Sequence, residues 1–119
     1  MKKQITLYHN PRCRKSREAL AYLEEQNVAP KIVRYLDEPF TVETLTDLLS
    51  KLGLAATALV RTEEALWKNT FKSQNLDEKN LIKILVEHPR LIQRPIVTIQ
   101  NKGVLARPIE NLISFLQNH

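Results

Sequence analysis

The chain has 119 residues, 43% of them hydrophobic and 26% charged, which is enough for one domain with its own core and no disulfide staples. No apolar run approaches the ~18–20 residues of a membrane span, and residues 1–17 lack the ~7–15-residue apolar stretch of a secretory signal; with a single cysteine, a cytoplasmic protein is expected. The net charge is +5, but its bases gather at Lys2, Lys3, Arg12, Arg14, Lys15 and Arg17 with no acid among them, while the chain beyond carries mixed signs; this is a local positive field, and neither nucleic acid nor membrane is expected as a partner.

Residues 4–8 read as a first strand, and residues 14–26 as a helix with Ala19, Leu20 and Leu23 on one face. Val28 to Pro30 makes a turn into a second strand over 31–36, which Asp37, Glu38 and Pro39 break. Links this short predict a right-handed, parallel βαβ unit. Thr41 is a good N-cap, with Glu43 in the first turn. Leu45, Leu48, Leu49 and Leu52 then form an i, i+3, i+4, i+7 stripe that Gly53 ends. Residues 55–72 are helical in pieces around Ala58–Leu59 and Ala65–Trp67. Asp77 caps another helix with Leu81, Ile82 and Leu85 inward, and Pro89 lies beyond its end. Residues 40–90 therefore read as a helical insert between strands.

Ile96–Ile99, a polar turn over 100–103 and Val104–Ala106 give a hairpin signal. Pro108 suits the first position of a last helix whose core face is Ile109, Leu112, Ile113 and Leu116. A βαβ unit, a helical insert and a ββα unit on a mixed sheet, in one domain over residues 1–119, describe an α/β thioredoxin-like fold. The thiol stands at the first strand-to-helix turn.

That thiol is Cys13. Pro11 ends the strand, since it has no N–H and biases the residue before it away from helix. Cys13 then falls in the first helical turn, beside unpaired backbone N–H groups and the positive end of the helix dipole. Arg12, Arg14, Lys15 and Arg17 frame it. Both effects favour the thiolate, which is the nucleophile. A small buried hydrophobe is the ordinary reading of a lone cysteine, but four cations do not frame an apolar pocket.

Three arginines stand out. Arg94 and Arg107 each precede a proline at the ends of the paired strands, and Arg61 interrupts an apolar stretch. Rigid or apolar surroundings are poor places for charges meant only for solubility. A guanidinium is a planar fork that grips a tetrahedral oxyanion through paired hydrogen bonds and keeps its charge.

His9-Asn-Pro-Arg-Cys13-Arg-Lys-Ser-Arg17, Leu59-Val-Arg61 with Trp67-Lys68, Arg94-Pro-Ile-Val97 and Ala106-Arg107-Pro108 resemble the motifs of the ArsC family, the glutaredoxin-dependent arsenate reductases and their relatives. The resemblance runs in order from residue 5 to about residue 117. It implies that Cys13 attacks arsenic and that Arg61, Arg94 and Arg107 hold the oxyanion. It further implies that Pro95 is the cis proline near the active thiol, and that His9 helps tune the cysteine. Asn10, Ser16 and Arg17 belong to the same motif as supporting residues. Two features depart from the family pattern. Residue 106 is Ala where many relatives have Gly, and the sequence stops at His119 without the longer tail of some members.

The expected activity is reduction of arsenate to arsenite by a monomer with no bound cofactor and no metal. Glutathione serves as co-substrate and glutaredoxin as protein partner. The competing activity keeps the thiol and drops arsenic: a glutathione-linked oxidoreductase acting on another oxyanion or on protein mixed disulfides. A regulator like the Spx proteins is disfavoured, because their C-x-x-C switch is here Cys13-Arg-Lys-Ser16 and forms no internal disulfide.

Overall fold

The computed structural model describes residues 4–119, so Lys2 and Lys3 of the basic cluster lie outside the described residues. The chain divides into two compact units, one formed by the residues up to Glu38 together with Arg94–His119, the other by Pro39–Gln93.

In the first unit, β1 (Ile5–Tyr8), α1 (Arg14–Glu25) and β2 (Lys31–Val33) make the βαβ half; β3 (Ile96–Ile99), β4 (Lys102–Leu105) and α4 (Ile109–Asn118) make the ββα half. The four strands form one mixed sheet in the order β2-β1-β3-β4. β1 runs parallel to β2 and antiparallel to β3, and β4 is antiparallel to β3. This is the thioredoxin-like arrangement expected from the alternation of strands and helices.

The core on one face gathers Leu7, Val97 and Ile99 from the strands, Ala19 and Leu23 from α1, and Leu112 and Phe115 from α4. All four residues of β3 are buried, as befits a strand with a neighbour on either side. In α4 the buried pair is Leu112 and Phe115, whereas Ile109 and Leu116 are only partly buried. Three of the four expected inward residues, Ile109, Leu112 and Leu116, thus meet the core, and Phe115 takes the place expected of Ile113. At the end of α1, Asn27 takes a left-handed φ of 59°. Its N–H reaches Glu24 O at 3.0 Å and that of Val28 reaches Leu23 O at 2.9 Å, a Schellman ending that returns the chain toward β2.

Three boundaries differ from expectation. β2 stops at Val33 rather than residue 36, because Arg34 O accepts the N–H groups of Asp37 and Glu38 at 2.9 and 2.8 Å and folds the chain into a turn. The hairpin turn shrinks to Gln100 and Asn101, with Gln100 at a φ of 54°, and Gly103 pairs with Thr98 inside the ladder. Pro108 caps α4 from just outside it. The Arg94–Pro95 peptide is cis, as the resemblance implies, and so is Arg107–Pro108.

The second unit coincides with the expected helical insert. Its α2 (Val42–Leu52) begins at Thr41, whose side chain accepts the Thr44 N–H while Thr44 answers in kind, and ends at Gly53 with a φ of 67°. A 3-10 turn (Ala56–Leu59), a π turn (Trp67–Phe71), α3 (Glu78–Glu87) and a second 3-10 turn (Pro89–Leu91) follow. Asp77 caps α3 as expected, and α3 packs on α2 and on both 3-10 turns. Glu78 in its first turn accepts the Ala56 N–H with both carboxylate oxygens, at 2.9 and 3.1 Å. No helix among the described residues is long and apolar enough to cross a membrane.

Candidate active site

The loop between β1 and α1 is built by its own polar groups. His9 N–H extends the parallel ladder to Val33 O at 2.8 Å, which fixes the last residue before the loop. Asn10 then organises the turn: its side-chain Oδ1 accepts the Arg12 N–H at 3.0 Å, and its carbonyl accepts the Cys13 N–H at 2.9 Å. Arg17 reaches back to donate to Pro11 O at 3.0 Å. Cys13 is therefore held at the N-cap of α1 in an extended conformation, φ −93° and ψ 123°, rather than inside its first turn as expected. The cap position suits the chemistry, since the first N–H groups of the helix converge on whatever the N-cap side chain offers.

Cys13 is partly exposed. Burial by itself raises its pKa, but this is outweighed by hydrogen bonds from the Ser16 backbone N–H, from the Arg94 side chain and from the Lys15 backbone N–H, together with the Arg94 charge. The balance holds the thiol below its ordinary value of 9.0. The cation responsible is thus Arg94, some 80 residues away in sequence. The adjacent cations Arg12, Arg14, Lys15 and Arg17 are all exposed. Arg14 and Lys15 turn to Glu18, at 3.6 and 3.8 Å. Sequence adjacency pointed to the loop cations, whereas the Arg94-Pro95 dipeptide marked the residue that acts on the sulfur.

Strand pairing explains the placement of Arg107. β1 and β3 are in register Tyr8 to Ile96, and β3 and β4 in register Ile96 to Leu105. Ala106 N–H donates to Pro95 O at 2.9 Å, which carries the second ladder one residue further. Arg94 and Arg107 follow as the next opposed positions, at the sheet end where β1 passes into the Cys13 loop. Arg94 Nε is buried and donates to no acceptor among the described residues, so the guanidinium that reaches the thiol has a donor left over.

His9 and Ser16 form a buried pair beside this centre. Ser16 is fully buried and His9 only 6% exposed. Ser16 Oγ accepts the Asn10 N–H at 3.0 Å and lies 2.6 Å from His9 Nδ1. Burial foremost, then the charges of Arg34 and Arg17, lowers the His9 pKa from 6.5 and keeps the ring neutral. His9 thus acts on Ser16, whose backbone N–H meets the sulfur. Pro95 is buried at the start of β3.

Arg61 belongs to the second unit. Its backbone N–H donates to Leu91 O at 2.7 Å, and its guanidinium donates to Glu64 Oε1 at 2.6 Å, with the two side chains 19% and 25% exposed. Among the described residues no group of three or more His, Cys, Asp or Glu side chains could hold a metal ion.

A model of the ArsC family matches residues 8–115. The arsenate reductase of Neisseria meningitidis serogroup A is 42% identical over 115 residues, covering 95% of this chain and 98% of that protein. The arsenate reductase of Haemophilus influenzae is 37% identical over 114 residues, covering 94% and 98% respectively. Among solved structures, the arsenate reductase of Vibrio cholerae superposes with a TM-score of 0.90 at 38% identity, covering 96% of this chain and 98% of that one. A family match across nearly the whole length places the chain in the ArsC family.

Proposed function

We propose that this protein reduces arsenate to arsenite through a covalent adduct on Cys13. The observation that carries the reading is the position of the thiol at the N-cap of α1, where burial raises its pKa but the Ser16 N–H and Arg94 lower it further. The same donors that favour a thiolate also suit an oxyanion bound against it. Arg94 keeps a buried donor for that oxyanion, and Arg107, the next opposed position at the same sheet end, supplies a second guanidinium.

The thiolate attacks arsenic, the S–As bond forms, and one arsenate oxygen leaves as water after taking up protons. Glutathione thiolate then attacks the Cys13 sulfur. The S–As bond breaks with its electron pair passing to arsenic, which departs as arsenite, and a Cys13–glutathione disulfide remains. Glutaredoxin attacks the glutathione sulfur and restores the Cys13 thiol. The chain cannot supply the second thiol, because Cys13 is its only cysteine.

An NADPH-coupled assay with glutathione, glutathione reductase and glutaredoxin, with and without arsenate, tests this. Arsenate-dependent NADPH consumption is expected, and it should stop when glutaredoxin is omitted. Consumption that ignores arsenate but follows added protein mixed disulfides would favour the glutathione-linked oxidoreductase instead. Repeated turnover with thioredoxin alone would overturn the external-glutathione route.

A further inference from the structure

The first unit holds a cavity of about 250 Å³ lined by His9, Asn10 and Arg12 of the β1–α1 loop and by Arg34, Leu36 and Asp37 of the turn after β2. Nothing in the oxyanion chemistry uses Arg34 or Asp37. Their side chains pair at 3.2 Å while remaining 59% and 65% exposed, a weak contact that a ligand bringing both signs of charge can open. Arg12 makes no ion pair among the described residues. The cavity wall also lies one hydrogen bond from the reactive residue, since Asn10 O accepts the Cys13 N–H at 2.9 Å.

Two guanidinium groups and one carboxylate around a small cavity match an amino-acid zwitterion. A carboxylate takes a guanidinium fork and an ammonium takes Asp37. The volume falls short of the roughly 300 Å³ at which small-molecule sites begin, so one arm of a ligand fits rather than the whole. We propose that this cavity binds the α-amino-carboxylate end of a peptide thiol of the glutathione type and so selects the thiol that meets Cys13. The arm from that end to the sulfur spans about two residue lengths, roughly 7 Å, and the cavity wall and Cys13 share the Asn10 carbonyl. This assignment rests on the reading that such a thiol reduces the Cys13 adduct.

The test leaves arsenate out, so its outcome is independent of whether arsenate is the substrate. Cys13 thiolate attacks glutathione disulfide; the S–S bond breaks, a Cys13–glutathione disulfide forms, and glutathione thiolate leaves. The rate is followed by intact-protein mass spectrometry and compared with that for hydroxyethyl disulfide, which has no charge for the cavity to read. Arg34→Ala is expected to slow the glutathione reaction about 3–10-fold and Arg34→Glu further, with the hydroxyethyl rate within about twofold of the parent. Arg14→Ala removes the same charge outside the cavity and should change neither rate by more than about twofold. Equal slowing with both disulfides would assign the effect to the thiol and overturn the proposal. Equal slowing by Arg14→Ala would assign it to general attraction, and no slowing by either Arg34 variant would show that the cavity selects nothing.

Discussion

Two groups of cations lie close to Cys13, one in sequence and one in space, and they are held in opposite ways. Arg12, Arg14, Lys15 and Arg17 stand exposed on the loop and the first turn of α1, two of them answering Glu18. Arg94 comes from the start of β3, half-buried, with its side chain on the sulfur. Water screens an exposed charge within about 8–10 Å, whereas a half-buried guanidinium acts at full contact. The difference teaches that thiolate stabilisation here is a property of the sheet's register more than of the local text. Four cations within four residues matter less than one delivered by a strand.

The comparison presupposes that the sulfur is the reacting atom, and Cys13→Ser is the most drastic way to break it. Arsenate reduction should fall to the level without protein, with the thermal midpoint preserved, because the serine keeps the N-cap geometry. Residual arsenate-dependent turnover would remove the sulfur from the centre of the scheme.

Arg94→Ala sharpens the comparison most directly. It removes a donor from both the thiolate and the oxyanion, and turnover should drop by about 10²–10³-fold, the usual cost of one oxyanion donor. The pH midpoint of iodoacetamide alkylation should also move up, because Arg94 is one of the groups that lower the thiol's pKa. Arg94→Lys should recover part of the alkylation shift but little of the turnover, since an ammonium keeps the charge and loses the fork. An unmoved alkylation midpoint in both variants would sink the role assigned to Arg94.

The same contrast explains what could be read from sequence. Helix faces were legible wherever the apolar spacing was local: Leu45, Leu48 and Leu49, and likewise Leu81, Ile82 and Leu85, are buried as the stripe requires. Caps were legible at Thr41 and Asp77 because the capping bond spans only three residues. The reactive loop was legible from Pro11 and Cys13. Contacts that depend on register were not. The end of β2 is decided by two N–H groups that converge on Arg34 O, and the Phe115 face of α4 by what its partners leave to be filled. The pairing of His9 with Ser16 joins residues seven apart across a loop-to-helix turn. The motif marks both residues without saying that they touch each other.

That pair supplies a smaller effect. Ser16→Ala leaves the Asn10 N–H and His9 Nδ1 buried without their partner, which should cost about 1–3 kcal/mol in urea unfolding. The His9 pKa is lowered in the fold, by burial first and then by Arg34 and Arg17. The unfolded chain therefore binds the extra proton sooner as pH falls. The contribution is complete above the ordinary value of 6.5 and is lost as pH drops through the lower folded value. Unfolding midpoints taken at about pH 7.5 and about pH 5.5 should show the parent less stable at the lower pH, and His9→Asn should flatten that difference. A parent more stable at the lower pH would contradict the neutral, buried ring.

The smallest expected effect is the most pointed. Arg14 is the residue directly after Cys13, and a reading by sequence proximity makes it a principal source of the thiolate. Its side chain, however, is 85% exposed and leans 3.6 Å from Glu18, itself 37% exposed. An exposed i, i+4 pair contributes about 0.3–0.5 kcal/mol, and a solvated cation at that position adds little field at the sulfur. Arg14→Ala should therefore change unfolding stability by less than about 0.5 kcal/mol and leave the alkylation midpoint where it is, at ordinary ionic strength. Repeating the alkylation at low salt gives the loop cations their best chance, because the screening length lengthens to about 30 Å at 0.01 M. If Arg14→Ala shifts the midpoint under both conditions as far as Arg94→Ala does, the loop and the strand act alike and the distinction between them fails.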